Sequence, residues 1–90
     1  SNQVSDCHPG WGMHTVVYPG AIIEPGVVLG NGVVIHDNVV VRHGTTIHDN
    51  AVLGRLPQVA GIIQRVPKQN LACLEIGANC VIGANAVLYV

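Results

Sequence analysis

The sequence predicts an all-β chain wound as a parallel β-helix with one protruding loop, and three observations predict it. Apolar residues recur every six positions, Gly or Asn follows three residues after them, and the period breaks once, between Leu53 and Ile76. Val17, Ile23, Leu29, Ile35, Val41, Ile47 and Leu53 stand six apart, and Ile76, Ile82 and Leu88 resume the spacing. Such a period marks a solenoid, whose units bury their apolar faces only by stacking on one another. With 90 residues the chain has room for one domain.

The elements follow in chain order. Residues 1–16 form a lead, in which His8-Pro9-Gly10-Trp11-Gly12 is expected to cap the first coil, with Trp11 either covering its open end or serving as its first inward residue. Residues 17–53 are β-helix coils. Two residues before the inward positions lie Ala21, Val27, Val33, Val39, Thr45 and Ala51, all small or β-branched, so each hexad carries a three-residue strand. Gly20, Gly26, Gly32, Asn38, Gly44, Asn50, Asn79 and Asn85 occupy the corner phase, where positive φ comes cheaply to Gly and next to Asn. Three strands and three corners make a coil of about 18 residues, and inward residues then stack at the strand spacing of about 4.8 Å.

Residues 54–75 cannot keep the six-residue register and are read as a protruding loop. It is rich in apolar residues, among them Leu56, Val59, Ile62 and Ile63, and is expected to pack on its own or a neighbouring subunit or to cover a substrate. It also holds Arg55, Arg65 and Lys68 against Glu75, which favours an anionic ligand nearby. Residues 76–90 return to the coil. Nothing after Val90 closes it, so the chain reads as a piece of a longer solenoid.

Composition excludes several functions. Four Lys/Arg and a formal net charge of −1 offer no basic surface for nucleic acid and no polybasic membrane patch. No apolar run approaches the ~18 residues that span a bilayer. Three cysteines without CxxC spacing argue against a disulfide framework and fit a reducing cytoplasm. Ile22, Val28, Val34, Val40, Val52, Val81 and Val87 are apolar at outward positions, which implies a covered partner face. The five histidines are the candidates for acid/base work near neutral pH, and His36, His43 and His48 stand at coil corners.

Phrases such as Ile22-Ile23-Glu24-Pro25-Gly26-Val27-Val28-Leu29-Gly30 and Ile82-Gly83-Ala84-Asn85-Ala86-Val87-Leu88 resemble the hexapeptide-repeat acyltransferase family. The resemblance covers Val17 to Leu53 and Ile76 to Leu88. It implies a left-handed β-helix, a homotrimer, and acyl transfer from acetyl-CoA or another acyl-CoA to an amino or hydroxyl group of a sugar or similar small polar acceptor, with no metal. In that family a His deprotonates the acceptor. His43 holds the corner phase of the sugar-nucleotide branch but is followed by Gly44, while His36-Asp37 and His48-Asp49 sit one position early. His36 and His48 therefore stand as alternatives, His36 lying one coil beneath Gly54 at the loop root. Gly83 and Ala84 match residues beside the CoA arm, and Arg55 and Arg65 are candidates for phosphates of acceptor or CoA.

Two other readings stay open. His43-Gly44-Thr45-Thr46-Ile47-His48 resembles the His-x4-His pair of γ-class carbonic anhydrases, which implies zinc on His43 and His48 at a trimer interface, with Cys7 or His8 near the third ligand position. The other is a non-catalytic stacking module, because a repeat fold alone does not imply catalysis.

Overall fold

The computed structural model describes residues 10–55 and 73–89. Ten short strands run through them: β1 (Val16–Val17), β2 (Ile22–Ile23), β3 (Val28–Leu29), β4 (Val34–Ile35), β5 (Val39–Val41), β6 (Thr46–Ile47), β7 (Val52–Arg55), β8 (Leu74–Ile76), β9 (Val81–Ile82) and β10 (Val87–Tyr89). They build three parallel sheets, ordered β1-β4-β7-β10, β2-β5-β8 and β3-β6-β9. Each coil contributes one strand to each sheet, which is the three-sided solenoid predicted from the hexads. No helix of the described residues is long and apolar enough to cross a membrane.

The register repeats the sequence period. Val17 pairs with Ile35 and Ile35 with Leu53, Ile23 pairs with Val41, and Leu29 with Ile47, each 18 residues on. Like therefore stacks on like, and aliphatic side chains of similar size line the column. Ile35, Val41, Ile47 and Leu53 are wholly buried, as are Val33, Val39, Thr45 and Ala51 from the second inward position. Ile23, Ile82 and Leu88 are partly buried and pack against this core. Trp11 forms an isolated parallel bridge with Leu29, which puts it in the inward phase rather than across the coil end.

Of the eight predicted corner residues, all but Gly20 have positive φ. At Gly20 the corner closes differently: Ala21 N–H donates to Tyr18 O at 3.0 Å, and Gly20 N–H is taken by Asp37 Oδ1 at 2.7 Å from the coil above. His14, three residues after Trp11, holds the same phase with φ of 59°.

Beyond the break the register offset changes. Val41 pairs with Ile76, 35 residues on instead of 18, so 17 residues are inserted at the corner between β7 and β8. Gly54 and Arg55 still belong to β7, and Leu74 and Glu75 to β8, so both ends of the segment predicted as a loop over 54–75 are strand. Leu88 pairs with Leu53 but Tyr89 with Arg55, leaving Gly54 as the bulged residue. Its φ of +89° suits glycine, and a Cβ there would stand 2.5 Å from Val39 Cγ2. The expected packing of the inserted residues falls on 56–72, outside the described residues.

Candidate functional site

Corners carry the polar chemistry because each follows the last inward residue of a strand and faces away from the core. His36 stands between β4 and β5, His43 between β5 and β6, and His48 between β6 and β7. The three histidines thus occupy three different edges of one coil, and a single chain does not bring them together.

His43 is the most elaborately supported. Its side chain is 65% exposed, and its backbone N–H donates to Glu24 Oε1 at 2.8 Å. The same oxygen lies 3.4 Å from His43 Nδ1. Glu24 Oε2 accepts Arg42 Nη1 at 2.8 Å, while Arg42 Nε donates to Glu75 Oε2 at 2.8 Å. The Arg42 guanidinium, then the His43 backbone N–H, hold the Glu24 carboxyl below its usual range. Glu75 and then Glu24 push the Arg42 guanidinium upward. Two carboxylates and one guanidinium leave this cluster one negative charge in excess before His43 is counted.

His36 is half-buried and stacks on Tyr18 of the coil below, ring centroids 4.9 Å apart and 25° from parallel. A Cβ on Gly54 would stand 3.2 Å from His36 Cβ, so His36 does lie beneath the strand from which the insertion departs. His48 is exposed, and its backbone N–H donates to Ile82 O at 2.9 Å. The aspartates of the His-Asp pairs serve the backbone: Asp37 Oδ1 accepts Gly20 N–H, and Asp49 Oδ1 accepts Asn31 N–H at 2.9 Å. Asn31 Oδ1 in turn accepts Met13 N–H at 2.8 Å. Asn31 and Asp49 thus form a ladder up one edge and Asp37 caps a corner on another, using acceptors at turn positions as Asx residues commonly do.

Gly83 and Ala84 are exposed on the corner after β9, and nothing lies within 4 Å of where a Gly83 Cβ would stand. Arg55 ends β7, with its side chain outside the described set; Arg65, Cys7 and His8 lie outside the described residues altogether. His43 and His48 flank β6 at opposite ends, and among the described residues no three His, Cys, Asp or Glu side chains converge as a metal site. The Glu24–Arg42–Glu75 cluster escaped the sequence reading, although a signal was present: Glu24 and Arg42 are opposite charges one 18-residue coil apart.

Three stacked parallel sheets of hexads define the class: a solenoid with an aliphatic core and polar corners. Residues 26–55 match a family model described as bacterial transferase hexapeptide (six repeats). That third of the chain carries the hexapeptide repeats of the family model, and the fold is a left-handed parallel β-helix. Searches of curated proteins and of solved structures gave no significant match.

Proposed function

We propose that this chain is an acyl-CoA-dependent acyltransferase, or part of one, acting on an amino or hydroxyl group of a sugar or similar small polar acceptor. One observation carries the reading: an exposed imidazole, His43, stands on a corner within the segment that matches transferase hexapeptides. As general base, His43 accepts the proton of the acceptor N–H or O–H while the acceptor's lone pair attacks the thioester carbonyl. The C–S bond then breaks, the acyl group stays on the acceptor, and the CoA sulfur leaves and is protonated. No bond to the protein forms.

The donor is acetyl-CoA or another acyl-CoA. Gly83 and Ala84 are proposed to lie beside its pantetheine arm, and Arg55 and Arg65 are the proposed phosphate contacts. Exposed Ile22, Val28, Val81 and Val87, spread over all three sheets, support self-association, since apolar side chains left in water favour a covering copy, and the proposed assembly is a homotrimer. The proposed setting is cytoplasmic.

Calorimetric titration with acetyl-CoA, after metal analysis of the same sample, tests the reading, followed by an acceptor screen with His43→Ala beside His36→Ala and His48→Ala. Saturable acetyl-CoA binding and turnover abolished by His43→Ala are expected. Full turnover in His43→Ala removes His43 as the base. Stoichiometric zinc without CoA binding transfers the reading to the His43/His48 metal site, and a metal-free chain that does not bind CoA is a scaffold.

A further inference from the structure

We infer that Glu24 is the positioning residue for His43, fixing which ring nitrogen carries the proton; this rests on His43 being the base. The carboxylate is held from two sides. Arg42 Nη1 fixes Oε2, and the His43 backbone N–H fixes Oε1, so Oε1 stays beside the imidazole whatever the ring does. Nδ1 faces that oxygen at 3.4 Å, long for a hydrogen bond in the free protein, where catalytic contacts often tighten only on substrate binding. A carboxylate accepts and never donates, so the neutral imidazole places its proton on Nδ1. The lone pair then sits on Nε2, the nitrogen farther from the backbone and better placed for an acceptor.

Charge works in the same direction. Glu24, Glu75 and Arg42 together carry one net negative charge, and proton uptake by His43 brings the group to neutrality. The imidazolium formed as the acceptor attacks therefore faces a carboxylate already in place beside it. Arg42 contributes by keeping Glu24 ionised and in place. As a bare surface ion pair the Glu24–Arg42 contact would contribute little stability. What sets it apart is that the same carboxylate spans the base's backbone and its ring.

The experiment reads the tautomer directly. 15N-detected NMR of the imidazole rings, assigned by loss of the His43 signal in His43→Ala, is recorded near pH 8 on wild type and Glu24→Gln. Wild type is expected to show His43 mainly in the Nδ1–H form, whereas an unconstrained histidine favours Nε2–H. In Glu24→Gln the amide has one oxygen where Arg42 and His43 together need two. Arg42 claims the oxygen, the NH2 turns to the ring, and the Nε2–H form grows. Turnover of Glu24→Gln should fall roughly 10- to 100-fold in kcat, within what a general base supplies, with KM changed less than about twofold. A wild-type His43 already in the Nε2–H form overturns the assignment, as does unchanged kcat in Glu24→Gln. An Nδ1–H tautomer in a protein that transfers no acyl group upholds the Glu24–His43 pairing and overturns the acyltransferase reading.

Discussion

Thr45 offers a quantitative test of how the coils are joined across the insertion. It is wholly buried, its Oγ1 donates to Gly77 O at 2.7 Å, and the same oxygen accepts Cys80 N–H at 3.0 Å. One hydroxyl thus satisfies a donor and an acceptor of the corner between β8 and β9. One coil earlier the equivalent position is Val27, also buried, so an aliphatic side chain of that shape fits the column. Thr45→Val therefore isolates the polar effect, leaving an N–H and a C=O without their partner. Each such orphan costs about 1 kcal/mol at the low end of the usual range, fitting for a site where Gly77 is exposed, so the loss should be about 2 kcal/mol. Thr45→Ser keeps both hydrogen bonds and gives up one buried methyl, about 1 kcal/mol. Urea unfolding followed by circular dichroism, at one protein concentration because an oligomer's stability depends on it, measures both variants. The expected order is wild type, then Ser, then Val. A Val variant as stable as the Ser variant would falsify the claim that the hydroxyl, rather than the fit of the side chain, joins the two corners.

Three further outcomes are expected. Ile35→Ala, wholly buried between Val17 and Leu53, should lose about 3 kcal/mol in the same unfolding experiment, the usual cost of emptying a core position. Asn79, at φ of 58°, should lose about 1 kcal/mol as Asn79→Ala while Asn79→Gly stays near wild type, because alanine keeps the Cβ but lacks the short polar side chain that lets Asn tolerate the left-handed region, and glycine has no Cβ to meet the penalty; equal losses in both would refute the backbone origin. Glu24, its carboxyl lowered chiefly by Arg42, should stabilise the fold at pH values above the ordinary carboxylate range and lose that contribution as pH falls through its lowered value. Denaturant midpoints of wild type and Glu24→Gln should thus differ at pH 7 and converge in acid; a gap that widens on acidification would reverse the sign.

Much was legible in the chain because a solenoid writes its periodicity locally. A six-residue repeat of Val, Ile and Leu can bury itself only against the neighbouring coils, and Gly or Asn three residues on relieves the backbone at the turn. Position in the repeat therefore reported burial, handing over the core from Val17 to Ile76 and seven left-handed corners, although Gly20 did not turn out left-handed and His14, in the same phase, went unnoticed. The same arithmetic located the insertion and put His36 beneath it. Corner side chains followed no such rule. Whether Asp37 and Asp49 serve a histidine or a backbone N–H depends on which atom of the coil below lies within about 3 Å. That is a matter of stacking geometry, and it turned both aspartates of the His-Asp pairs to backbone N–H groups of the coil below. Stacking likewise placed Glu24 under Arg42 and against His43, and seated His36 on Tyr18. The sequence alone thus determined the coils, their inward faces and their period, since burial follows from repetition. Tertiary structure decided which of three histidines has a carboxylate at its ring, because that contact joins residues one coil apart whose side-chain directions no period encodes.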